Sequence, residues 1–150
     1  MKKTLCLLTG AVLLFFLAGC APALTPQEYL DGLTDGFHEY VAASQEIGAA
    51  LDAQTYDSTG VGSARDALNS IRALSPPSEY AEVHKTLSES IKTELEWLDA
   101  VEEFCRLGKD DPTNTAEIEK TVQKLSEIAE NSEFAANILN TVIVVRGDLE

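Results

Sequence analysis

The chain has 150 residues, of which 25 are Asp or Glu and 11 are Lys or Arg, for a net charge of −14. That length suits one domain with a buried core. The charge excludes the basic footprint that nucleic acid needs, and equally a protein face that lies flat on anionic lipid.

Lys2 and Lys3 precede an apolar run from Leu5 to Leu17, and Ala18, Gly19 and Cys20 follow directly. A positive start, a short apolar stretch and a small-residue cleavage region are the parts of a secretory signal. The run is shorter than the roughly 20 residues that span a bilayer, and Thr9 and Gly10 lie inside it. The segment Leu17-Ala18-Gly19-Cys20 resembles the lipobox of bacterial lipoproteins. The resemblance implies a diacylglyceryl group on the Cys20 sulfur and cleavage before Cys20. It also implies a partner, the lipid bilayer, held through lipidated Cys20, and a place on the extracytoplasmic side of a bacterial membrane. Two acyl chains meet the requirement for stable anchoring, at about 0.8 kcal/mol for each buried CH₂. An ordinary secretory signal with a coincidental cysteine is the alternative. On the lipoprotein reading, residues 1–19 are the signal peptide, 20–25 the lipidated cysteine and a tether, and 26–146 a helical domain.

Cleavage removes Lys2 and Lys3, leaving 9 basic residues against 25 acidic ones and a net charge of −16. Cys6 leaves with the signal and Cys20 carries lipid. Cys105 then has no partner for a disulfide, so the apolar core alone must hold the fold.

Thr25-Pro26-Gln27-Glu28 is a helix start: Thr25 caps, Pro26 suits the first helical position and Glu28 completes a capping box. Leu30, Leu33, Phe37, Tyr40, Ser44, Ile47 and Leu51 then recur in steps of three and four, predicting a first helix from Pro26 to about Gln54. Gly32, Gly36 and Gly48 weaken it locally, and Gly36 invites close packing. Asp57 and Ser58 are cap candidates for a shorter second helix carrying Val61, Ala64, Leu68, Ile71 and Leu74. Ser75-Pro76-Pro77 ends it, because a residue before proline avoids the helical region. The third helix places Tyr80, Leu87, Ile91, Leu95, Leu98, Val101 and Cys105 on one face, with Lys85–Glu89 and Lys92–Glu96 pairs opposite. Gly108 is the expected stop. After the polar turn Lys109–Asn114, Ile118, Val122, Leu125, Ile128, Ala135, Ile138, Val142 and Val145 predict a fourth helix. Glu130-Asn131-Ser132-Glu133 marks a kink or a break in it. The β-branched run from Thr141 to Val145 has no strand to pair with and reads as helix.

Four amphipathic helices joined by short turns predict an all-α, antiparallel up-down four-helix bundle. Ala21 to Leu24 are all that separate Cys20 from the Thr25 cap, a reach of about 14 Å. The first helix would start close to the bilayer, with the Pro76–Pro77 turn and the C-terminus at the same end. The loops carrying Asp57, Asp110 and Asp111 would face away, helped by repulsion from anionic head groups within about 8 Å. The stretch Pro76-Pro77-Ser78-Glu79-Tyr80-Ala81-Glu82-Val83-His84-Lys85-Thr86-Leu87 also resembles a turn-plus-helix pattern of small helical envelope lipoproteins of unknown function. That resemblance supports the bundle and implies no activity.

The candidate ligand-binding residues are His84, Tyr80 and His38. His84 lies one turn from Tyr80 and Leu87, so a core-edge histidine satisfied by a hydrogen bond is the plain reading, and a metal or anion ligand the functional one. A di-iron bundle needs two Glu-x-x-His units; Asp35-x-x-His38 is the sole approach to one. Cys105 repeats the apolar stripe and reads as a small buried hydrophobe. Asp110, Asp111 and Asn114 depart from the calcium-loop spacing and suit cap and turn duty. The many Glu residues read as a solvated face. No phosphate loop, zinc pairing or nucleophile elbow is present in the sequence, so no catalytic residue, metal or cofactor is expected. Two functional classes follow. The first is a membrane-anchored extracytoplasmic lipoprotein acting by protein contact, as an interaction, accessory or scaffold module with an envelope protein partner. The alternative is a lipoprotein that binds a small ligand or divalent cation in an inter-helix pocket or at the acidic loops. An exposed apolar patch favours the first, and a cavity lined by His84, Tyr80 and carboxylates the second.

Overall fold

Five α-helices and one 3₁₀ turn account for the regular structure of a computed structural model that describes residues 22–150. The signal segment 1–19 and Cys20 lie outside the described residues. Helix α1 (Pro26–Asp52) starts with the expected capping box: Glu28 N–H donates to the Thr25 hydroxyl, and the Glu28 carboxylate accepts from Thr25 N–H at 2.8 Å. Helix α2 spans Thr59–Arg72. Asp57 rather than Ser58 serves its start, accepting from the Thr59 N–H at 3.0 Å and the Thr59 hydroxyl at 2.6 Å. The 3₁₀ turn Ser78–Tyr80 leads into α3 (Ala81–Asp110). Helices α4 (Thr115–Asn131) and α5 (Phe134–Gly147) follow.

Side-chain contacts fix how these helices align. Along α1, Gly32 faces Leu74 and Gly36 faces Ile71, whereas Gly60 at the start of α2 lies against Ala43 and Ile47. Along α3, Tyr80 and His84 meet Tyr29, Glu94 meets Tyr40, and Phe104 meets Tyr56. Leu24 N–H donates to the Ser75 carbonyl at 2.9 Å, tying the approach to α1 to the turn after α2. Helix α5 begins with Phe134 against Phe37 and Tyr40 and ends with Asp148 beside Tyr80. The core therefore fills the space between α1, α2, α3 and α5, with Leu33, Leu68, Leu87, Leu98 and Ile138 fully buried. Each such side chain contributes about 1.5–3 kcal/mol.

Two expectations are corrected, and the kink or break at Glu130–Glu133 is resolved as a break. Gly108 does not stop α3, which continues to Asp110; a Cβ there would enter the Tyr56 ring. Tyr56 reaches this notch from a left-handed backbone conformation, φ 51°, which its packing must offset. The fourth helix breaks at Ser132, whose ψ of 120° is extended, so α4 and α5 do not share one continuous stripe. Phe134, Ile138, Thr141 and Val145 face the core of α5, while Ala135 and Val122 are exposed. Helix α4 packs mainly on α3 and buries only Thr121, with Ile118, Leu125 and Ile128 half-buried.

Gly36 and Gly48 separate two roles of glycine. A Cβ at Gly36 would stand 2.5 Å from Cγ1 of the fully buried Ile71, while one at Gly48 meets nothing within 4 Å. Gly36→Ala should lose about 1–2 kcal/mol, overpacking outweighing the gain in helix propensity. Gly48→Ala should gain up to about 1 kcal/mol. Urea unfolding of both variants measures the contrast.

Candidate functional site

His84 and Tyr80 share one cluster, and His38 stands apart from it. The Tyr29 hydroxyl and His84 Nδ1 are 2.9 Å apart, and the Tyr29 ring stacks on Tyr80 at 6.0 Å. His84 also meets the Arg72 backbone. Burial holds its pKa below 6.5, against the opposing pull of that backbone contact. Burial likewise pushes the Tyr29 phenol up, so it keeps its proton. All three rings are buried with partners inside the protein. This is the arrangement of a core histidine satisfied by a hydrogen bond. His38 is exposed on α1. Among the described residues no group of three His, Cys, Asp or Glu side chains is placed to hold a metal ion.

The loop after α1 and the last part of α3 border an open cleft of about 900 Å³ lined by Tyr56, Asp57, Asp99, Glu102, Arg106 and Lys109, among others. Its charges are largely engaged locally. Arg106 forks onto Glu103 at 2.6 and 2.7 Å, and Arg65 spans Asp99 at 2.7 Å and Glu102 at 3.0 Å. Hydrogen bonds from Thr59 hold the Asp57 carboxyl below its usual range. Asp110 lines the cleft, while Asp111 accepts from Asn114 within the turn, as cap and turn duty requires. Cys105 borders the cleft from within the core, and burial, then the Asp57 and Glu102 carboxylates, push its thiol up. That setting disfavours a thiolate nucleophile.

The sequence reading missed a third place. Glu94 is buried on α3. Tyr40 donates to its Oε1 and Ser132 Oγ donates to its Oε2 at 2.8 Å. Burial, then the bond to Glu94, keeps the Tyr40 phenol protonated. A cavity of about 470 Å³ opens beside the carboxylate at the α4–α5 break, lined by Phe37, Tyr40, Trp97, Phe134 and three small apolar residues among others. Its lining includes no Lys, Arg or His. A signal existed: Leu87, Ile91, Glu94, Leu98, Val101 and Cys105 recur in steps of four and three, so Glu94 occupies a core position. The expectation that Glu residues form a solvated face fails at this residue.

The fourth place is the outer face of α5. Leu139 and Ile143, one turn apart, are 53% and 69% exposed, and exposed Ala135 and Ala136 extend the strip. Arg146 is the one charged residue in α5. No protein family, curated protein or solved structure matches the chain. No helix among the described residues is long and apolar enough to cross a membrane.

The buried, neutral state of His84 makes stability depend on pH. Protonation is easier in the unfolded chain than in the folded one. The contribution is complete above the ordinary value and is lost as pH falls through about 6.5 towards the depressed folded value. Urea midpoints at neutral and mildly acidic pH should show wild type losing more stability than His84→Gln. The difference should not exceed about 1.4 kcal/mol per pH unit, the limit for one proton.

Proposed function

We propose that the chain is a lipid-anchored, extracytoplasmic lipoprotein that works by protein contact, with α5 as its docking face. The observation that carries this reading is the exposed Leu139–Ile143 strip in a helix almost free of charge, within a chain of net charge −14. Scattered exposed apolar residues are ordinary, but an aligned strip of them marks a contact surface. The occupant is an envelope protein with an apolar centre and a basic rim, since Glu133 and Asp148 flank α5 and acidic residues outnumber basic ones 25 to 11 in the chain.

The anchor is Cys20, reached through the signal segment and lipobox. The pairwise alignments support an up-down arrangement in which α4 and α5 together form the broken fourth leg. In it, the Thr25 cap, the Ser75 turn and Asp148 share the membrane-near end, and the loops with Asp57 and Asp110 point away. The α5 strip then runs up the side of the bundle, accessible to a neighbour in the same membrane. A ligand site built on His84 has no support, because that ring is already satisfied.

Two experiments separate anchor from contact. Cys20→Ser should abolish palmitate labelling and release the chain from the membrane fraction. Unchanged labelling would remove the lipoprotein assignment. Ile143→Glu and Leu139→Glu sit on exposed positions, where substitutions cost within about 0.5 kcal/mol. Each should shift the protein from a larger species to a smaller one on native gels of solubilised membranes, with an unchanged melting temperature. An unaltered species, or one that is a homo-oligomer by light scattering, would refute a distinct protein partner.

A further inference from the structure

We propose that the chamber at the α4–α5 break binds a small methylated ammonium cation between its aromatic rings, with Glu94 as counter-charge. The site stands independently of the α5 docking face, and only the choice of a free solute over a lipid head group rests on the Cys20 anchor. The cavity, about 470 Å³, has the size of a small-molecule site. Four aromatic side chains border it: Phe37, Tyr40, Trp97 and Phe134. Three of them pack on one another, with Phe134 set edge-on to Tyr40 at 5.1 Å and tilted to Phe37 at 6.3 Å. Rings of this kind attract a cation through their negative faces, and most strongly where water is excluded.

Glu94 supplies what an aromatic pocket alone lacks. It is buried, and neither of its two hydroxyl partners neutralises a negative charge. Among the described residues, no ion pair involves it. A cation entering this open pocket meets a buried carboxyl group that has hydroxyl partners and no basic neighbour in the lining.

The same geometry selects the kind of cation. A primary ammonium carries three N–H donors that each need an acceptor. Two hydroxyls already occupy about half of the acceptor positions of Glu94, and apart from Ser132 the remaining walls are rings and apolar side chains, so three donors are not all satisfied. A methylated ammonium needs no hydrogen bonds and presents an apolar, charged surface, which suits rings. A zwitterion with its own carboxylate is repelled by Glu94. Such a head group also occurs on lipids. Tyr40 lies 14 residues into α1, about 21 Å along the helix from its start, which favours a free solute over a bilayer head group.

Trp97 is the single tryptophan of the chain and lines the chamber, so its emission reports occupancy directly. Full-length protein in phosphatidylglycerol vesicles should show a saturable change with choline at constant ionic strength. 3,3-Dimethyl-1-butanol, the uncharged isostere, should bind at least about tenfold more weakly, and betaine and ethanolamine should also be weaker. Glu94→Gln keeps the shape and polar contacts of the side chain and should weaken choline at least about tenfold with an unchanged melting temperature. Should that variant fold poorly, Phe37→Leu at the half-buried rim should weaken choline at least about threefold. Phosphatidylcholine vesicles without free choline should leave the emission unchanged. Equal binding of the isostere, or no saturable change up to about 10 mM choline, overturns the proposal. A response to phosphatidylcholine alone overturns the free solute as its source.

Discussion

The bond between Glu94 and Ser132 fixes where the second half of the chain turns. Ser132 closes α4 with an extended backbone, and its hydroxyl reaches back 2.8 Å to the α3 carboxylate. A buried carboxylate stripped of its donors costs several kcal/mol, so Ser132 and Tyr40 are held to it. That requirement ends α4 before Phe134 and lets α5 restart in a different phase. Phe134 then folds over Tyr40 and roofs the chamber, and Leu139 and Ile143 turn outward. One polar contact thus sets the cavity and the exposed strip together, and Ala135 borders both.

Around this junction the fold relies on apolar packing. Cys105 is buried and free, and among the described residues no metal cluster is present. Aromatic contacts recur at three levels between α1 or the loop after it and the rest of the bundle. Tyr29 meets Tyr80 and His84, Tyr40 meets Phe134, and Tyr56 meets Phe104. Glycine sets the spacing at two of the contacts: Gly36 lets α2 approach through Ile71, and Gly108 receives the Tyr56 ring. Pairs such as these add about 0.5–1.5 kcal/mol beyond area burial. They resist helices sliding along one another, which aliphatic contacts alone permit.

Much of this architecture is legible in the residues themselves, for reasons that are local. The Thr25–Glu28 box and the stripe on α3 depend on neighbours within a turn or two and are found where the sequence places them, while α2 ends at Arg72, ahead of Ser75-Pro76-Pro77, and leaves Leu74 outside the helix. Gly108 is misread because a glycine near a helix end has two uses, a stop or a notch. Only the distant Tyr56 decides between them. Ala135 is misplaced because a periodicity argument carries phase across Ser132, and an extended residue resets it, whereas Val122 is exposed because α4 packs mainly on α3 and buries only Thr121. Glu94 is the instructive case. Its position on the stripe is visible, but its charge argues for the surface, and its burial depends on hydroxyls 54 and 38 residues away.

Charge explains why two small regions differ from the rest of a strongly acidic molecule. Surface carboxylates partner locally or face water, where salt screens them over about 8 Å. Arg65 takes Asp99 and Glu102, Arg106 takes Glu103, and Lys120 takes Glu117. These exposed pairs are worth about 1 kcal/mol or less each and discriminate little between ligands. Glu94 differs because it is buried beside aromatic rings and no basic side chain lines the pocket next to it. Helix α5 differs in the opposite sense. Without acidic residues, it interrupts the repulsion that the domain presents to any other acidic surface. A uniformly acidic bundle would hold partners at a distance, whereas an uncharged strip gives an apolar face a place to close against it.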